Sequence, residues 1–197
     1  MSVKEVIKQV AILLQLNNLI DANLDDYENL DSQTKRDINI VVSCINEVLC
    51  DFSTDYFLLE TTETIEVNEG TFDLANLSKV FYKMINFVPL NEYKIEYNNL
   101  LVRDGKYKIT YNYLPEIVKL DDNIVYDKRL TIYGLCYGVA KEYCLVCGNY
   151  SESEMWESKF ISAMQIAVRK NGSVFLKQRR WIWWRQNIQK LKLLKFA

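Results

Sequence analysis

Apolar residues along the first quarter of the chain recur at helical spacing. Val3, Val6, Ile7, Val10, Leu13 and Leu14 share one face of a helix predicted from Ser2 to about Leu16. Residues 17–31 are rich in Asn and Asp and read as a loop. Asp31 or Ser32 then caps a second helix reaching about Asp51. Its apolar face is Ile38, Val41, Val42, Ile45, Val48, Leu49 and Phe52, with Cys44 close by.

From Tyr56 the period shortens to two. Thr61 to Val67 is rich in β-branched residues and ends at the turn signal Asn68-Glu69-Gly70. Val80 to Phe87 reads as a strand that stops near Pro89, and Tyr93 to Tyr97 alternates strictly. Leu100-Leu101-Val102 leads through Arg103-Asp104-Gly105-Lys106 into Tyr107 to Tyr113. Asp-Gly between two strand runs is a strong hairpin signal, because both residues tolerate positive φ. In the last strand Tyr107, Ile109, Tyr111 and Tyr113 point one way, and Lys108, Thr110 and Asn112 the other. These runs predict an antiparallel meander with one wet face.

Helical spacing returns after an acidic loop. A third helix is predicted from about Asp127 to Cys147, with Leu130, Tyr133, Tyr137, Ala140, Cys144 and Cys147 on its face. Gly134 and Gly138 lie on it, each lowering helix propensity by about 1 kcal/mol relative to Ala. Close approach of another backbone is the reason that spacing suggests. Ser151 or Ser153 caps a fourth helix running to about Lys170, whose buried stripe is Trp156, Phe160, Ala163, Met164 and Ala167. Beyond Asn171-Gly172, Ser173 to Gln178 reads as extended. Trp181, Trp184, Ile188, Leu191 and Leu194 then recur at helical spacing.

The predicted fold is mainly α with inserted β. A four-helix bundle core over residues 1–170 carries a small antiparallel sheet, a meander or hairpin, at about 56–115. Residues 171–197 form a basic C-terminal arm.

Charge sharpens that division. Residues 1–158 hold all 26 acidic and 14 basic residues, a net of −12, whereas residues 159–197 hold 10 basic and no acidic residues. A basic tail on an acidic body signals a binding partner, because a merely solvated surface mixes the two signs.

The chain has no histidine, which removes the commonest general base and metal ligand and any Ser-His or Cys-His nucleophile pair. Cys144-x-x-Cys147 lacks a second such pair, and the five cysteines sit in apolar helical patterns as reduced core thiols. There is no glycine-rich phosphate loop. No catalytic, cofactor-binding or metal site is predicted, and the chain is expected not to be an enzyme. No stretch is apolar enough to span a bilayer, and the charged N-terminus is unlike a signal peptide, so a cytoplasmic origin is expected.

Arg179-Arg180-Trp181-Ile182-Trp183-Trp184-Arg185 is the most unusual stretch. Trp and Arg dominate binding hot spots. The candidate partner-binding residues are Arg179, Arg180, Trp181, Trp183, Trp184, Arg185, Ile188, Leu191 and Lys192. The leading expectation is docking on a protein. Nucleic-acid contact through phosphates and base stacking, an interfacial membrane helix, and a fifth core helix stay open beside it.

Residues 32–170 carry a family resemblance in their order of elements. A helix with a Phe-rich exit, Ile38 to Phe57, leads into Gly70-Thr71-Phe72-Asp73-Leu74 and a strand at Val80. The turn at Asp104-Gly105, the Tyr-rich strand Ile109 to Pro115, and the helix pair Tyr133 to Cys147 and Trp156 to Val168 follow. In this the chain resembles the head-to-tail adaptor proteins of tailed bacteriophages, the group that includes podovirus tail tubular protein A and related connector-ring proteins. Asp73-Leu74-Ala75-Asn76-Leu77 lacks the proline-containing turn common in that group.

The resemblance implies a structural virion protein made in the host bacterial cytoplasm. It implies a ring, usually of twelve copies, docked under the portal protein and onto downstream tail or ring proteins. DNA would pass through its lumen without sequence-specific contact, and no membrane partner is implied. The alternative from a different class is a nucleic-acid-binding regulatory protein that uses the basic Trp-rich arm.

Overall fold

The computed structural model describes residues 1–125 and 130–169. Helix α1 (Val3–Leu14) begins where Ser2 Oγ accepts a hydrogen bond from the Glu5 amide at 3.1 Å. Its stripe Val3, Val6, Ile7 and Val10 is fully buried, while Leu13 and Leu14 are half-buried. Residues read as a loop instead fold into a short helix α2 (Asn17–Asp21) and a 3₁₀ segment (Leu24–Asn29). Leu19 and Leu24 anchor them in the core. Lys8 Nζ donates to the carbonyls of Leu19 (3.0 Å), Ile20 (2.7 Å) and Ala22 (2.5 Å), satisfying acceptors a short helix leaves bare.

Helix α3 (Ser32–Asp51) is capped by Asp31 Oδ1, which accepts from the amides of Gln33 (2.9 Å) and Thr34 (3.0 Å). It continues into a π-turn, Phe52–Tyr56, that gathers the rings of Phe52, Tyr56 and Phe57 with Phe160. Helix α4 (Ile132–Val146) is capped by Thr131. Helix α5 (Tyr150–Arg169) starts ahead of both predicted serine caps; Ser153 is buried and donates to the Lys141 carbonyl at 3.2 Å.

The expected four-helix bundle with one inserted meander is not what the chain forms. Helix α4 is a hub that α1, α3 and α5 each pack against, while α1 and α3 meet only slightly and α5 leans mainly on α4. The physical reason lies in α4 itself. Leu135, Cys136, Val139, Ala140, Tyr143 and Cys144 are buried around much of its circumference, whereas Tyr133 and Cys147, assigned to its apolar face, are exposed. A helix enclosed on several sides has no single stripe to present to a bundle. Gly138 makes the enclosure possible. A Cβ there would stand 2.8 Å from Val48 Cγ1 of α3 and 2.9 Å from the Phe160 ring of α5. The glycine admits neighbouring side chains, not a backbone.

The inserted β region is two sheets, not one. Strands β1 (Leu59–Val67), β3 (Phe81–Val88) and β6 (Gly105–Tyr113) form an antiparallel sheet in the order β1-β6-β3. Strands β2 (Thr71–Asp73), β4 (Lys94–Glu96) and β5 (Asn99–Leu101) form a second in the order β2-β5-β4. Asp104-Gly105 therefore passes the chain from β5 in one sheet to β6 in the other and closes no hairpin. Asp104 Oδ1 instead accepts from the Gly70 amide at 2.6 Å, tying that crossing to the β1–β2 turn. The alternation of β6 holds only in part: Tyr107, Ile109 and Tyr111 are buried and Lys108 is exposed, but Asn112, expected on the wet face, is buried and Thr110 is half-buried. With Ile65, Val67, Phe87, Leu100 and Val102, the buried Tyr107, Ile109 and Tyr111 build a core that shares no buried residue with that of the helices.

Candidate interaction surfaces

All nine predicted partner-binding residues, from Arg179 to Lys192, lie outside the described residues, as does the rest of the arm. What the described residues offer is the surface such an arm, or any other partner, would meet.

The first such surface is on the β region. Phe81 and Met84 of β3 turn partly inward and Phe87 is buried, stacked against Tyr107 at 4.6 Å and close to Tyr93 at 4.9 Å. Tyr82 and Ile85 between them and Val88 beyond form an exposed apolar row on β3, and Leu90, Tyr93 and Ile95 past the strand are exposed as well. Tyr97, at the β4–β5 turn, is fully exposed with φ of 53°, a left-handed conformation that is uncommon outside Gly, Asn and Asp. Strand β3 is a sheet edge, but register shifts at Phe81/Lys83 and Met84/Asn86 bend it. Such bulges blunt an edge against strand addition, so this surface is suited to side-chain contact.

The second is a groove of about 730 Å³ between the 3₁₀ segment, the outer face of α3 and residues 117–121. Asp25, Asp26, Glu28 and Asp121 line it together with Val42 and the exposed Ile117. Lys4 Nζ bridges Asp25 (2.6 Å) and Asp121 (2.8 Å). That shared cation holds the Asp25 carboxyl below its ordinary range. Asp26 accepts from the neutral Asn29 amide at 2.7 Å, and among the described residues no cation pairs with Asp26 or Glu28. With Lys119 counted, the wall keeps an excess of negative charge. Beyond Tyr27 the surface continues past Lys35 and Arg36, so the acidic stretch is short.

Glu63, Tyr111 and Lys141, each partly desolvated, have structural partners. Glu63 accepts from Ser78 Oγ (2.5 Å), from the Ser78 amide (3.2 Å) and from Tyr111 Oη. Burial tends to raise its pKa, but these donors outweigh burial and hold the carboxyl below its ordinary range. Burial and the adjacent carboxylate push Tyr111 up to about 12. Lys141 is partly desolvated, yet its 2.6 Å pair with Glu142 outweighs that and keeps it cationic, which leaves no neutral amine for nucleophilic work.

Burial pushes the thiols of Cys44 and Cys136 up to about 12 and that of Cys144 to about 11. They are core thiols as expected, whereas Cys50 is half-buried and Cys147 exposed. Cys144 and Cys147 therefore sit in different surroundings. Among the described residues no group of three or more Cys, Asp or Glu is gathered for a metal, and no helix is long and apolar enough to cross a membrane.

No protein-family model matches the chain, and no curated protein matches it.

Proposed function

We propose that this chain is a non-catalytic assembly protein, a head-to-tail adaptor subunit of a phage virion that forms a ring under the portal. The observation that carries the reading is the charge division: 26 acidic against 14 basic residues over 1–158, then 10 basic and no acidic residues over 159–197. Ring closure by head-to-tail contact needs two different, complementary patches on each subunit, and such a chain supplies them. The arm, through Arg179, Arg180, Trp181, Trp183, Trp184 and Arg185, docks the subunit to the portal or to a neighbouring copy. The exposed row on β3 and the tip at Tyr97 suit contacts with a downstream tail component. An acidic body also repels phosphate, so DNA in the lumen stays mobile.

The test is the native mass of the purified protein, with and without residues 173–197, alone and mixed with the cognate portal protein. Full-length chain should join a ring in the presence of portal, and the shortened chain should not. Equal assembly by both would overturn the docking role of the arm. Binding of full-length chain to duplex DNA with a steep salt dependence would instead favour the nucleic-acid-binding regulator.

A further inference from the structure

The arm needs a receiving surface, and the acidic groove has the chemistry to be one. We infer that residues 179–185 of one copy dock in the groove between the 3₁₀ segment and α3 of the next copy. The inference rests on the reading of the arm as a docking element and names its partner as a second copy of this chain.

Charge complementarity is the main argument. The segment brings Arg179, Arg180 and Arg185 with no acidic residue, and the groove presents Asp25, Asp26, Glu28 and Asp121. Two of those carboxylates, Asp26 and Glu28, are exposed and unpaired with any described cation. They can take guanidinium groups without giving up an existing bridge.

Shape and composition agree with charge. At about 730 Å³ the groove is an open depression with room for several side chains rather than a single ion. Its apolar part, Val42 and the exposed Ile117, gives indole rings a surface to cover. Lys35 and Arg36 bound the acidic stretch beyond Tyr27, which suits a short cationic segment and excludes a long one.

Chain length gives the arm reach. Arg179 lies ten residues past the end of α5 at Arg169, and ten residues span at most about 35 Å when extended. That is roughly the diameter of a small domain. The contact joins two different patches, arm and groove, so it propagates from copy to copy, as a ring of subunits requires.

The experiment uses full-length chain mixed from light and heavy-isotope preparations. The mixture is treated with a carbodiimide that links Lys to Asp or Glu without a spacer, and the products are mapped by mass spectrometry. Links from Lys177, Lys190 or Lys192 to Asp25, Asp26 or Glu28 should join a light to a heavy copy. They should fall several-fold in 1 M salt, where charges are screened beyond about 3 Å. The double variant Asp26→Asn, Glu28→Gln keeps both Lys4 bridges and the fold, and in it the oligomer, followed by native mass, should be weakened at least tenfold.

Groove links found only within one copy, no groove links at all, or an unchanged oligomer in the double variant would each overturn the inference. The adaptor reading fails separately, when full-length chain joins no ring even with portal present.

Discussion

Asn46 on α3 and Val118, seventy-two residues later, hold each other by a reciprocal pair of hydrogen bonds. The Asn46 Nδ2 group donates to the Val118 carbonyl at 3.0 Å, and the Val118 amide donates to Asn46 Oδ1 at 2.7 Å. A side-chain amide thus stands in for a strand neighbour and pins residues 117–121 along α3, which is what makes a groove of that surface.

Removing the clamp leaves two backbone groups half-desolvated without partners. Asn46→Ala should cost about 2 kcal/mol, from the 1–3 kcal/mol typical of an unsatisfied buried polar group. Urea unfolding measures the loss, and amide exchange at Val118 should accelerate more than exchange within α3.

Gly138 and Gly134 predict opposite outcomes for the same substitution. Gly138→Ala puts a methyl 2.8 Å from Val48 Cγ1 and 2.9 Å from the Phe160 ring. Overpacking of about 1–3 kcal/mol should exceed the roughly 1 kcal/mol gained in helix propensity, so the melting temperature falls. At Gly134 the nearest atom is the flexible end of Met164, at 3.0 Å. Gly134→Ala should leave the melting temperature unchanged or slightly raised.

The β region should be acid-sensitive through Glu63. Its carboxyl titrates below its ordinary range in the folded state, so its ionised form contributes stability above that range. The contribution is lost as pH falls through the lowered folded value. Glu63→Gln should lower stability at neutral pH and flatten the acid limb of a pH–stability curve followed by near-ultraviolet dichroism. Tyr111 has the reverse sign. Its pKa is raised to about 12, so its support is complete below the ordinary phenol range and disappears only as pH rises through that raised value.

Lys8 predicts a local effect. Lys8→Met keeps the aliphatic stem and removes the donor shared by three carbonyls. A loss of about 1–3 kcal/mol is expected. Proteolysis should move to residues 17–24 before the rest of the chain becomes susceptible.

Trp184→Ala separates docking from folding. A hot-spot tryptophan contributes about 2 kcal/mol or more to binding, roughly a thirtyfold loss of affinity. Ring assembly followed by native mass should weaken on that scale with an unchanged melting curve. An equal loss of fold stability would place Trp184 in the chain's own core.

Helices with one neighbour-facing stripe were legible in the sequence. Val3, Val6, Ile7 and Val10 in α1, and Ile38, Val41 and Ile45 in α3, are buried as their spacing implies. Helix α4 was not, because enclosure on several sides spreads apolar residues around the helix and erases the phase from which a face is read. Strand positions were mostly visible, but pairing was not: Asp104-Gly105 is a local turn signal and carries no information on which strand Leu100 or Tyr107 will join.

The groove was hidden for the same reason. Asp25, Asp26 and Asp121 look like solvated loop residues until the Asn46 clamp brings chain segments about a hundred residues apart to one place. The arm, by contrast, stands out by composition alone.

Leu59, the first residue of β1, pairs with Tyr113, the last of β6, so the chain leaves the helices and returns to them at neighbouring points about 5 Å apart. Fifty-odd residues with their own apolar interior therefore hang from a paired stem. A two-residue turn from Leu58 to Leu114 would bridge the gap. The inserted sheets are in that sense a cassette: excised at the stem, they should leave the helices a continuous chain whose own core has lost no residue.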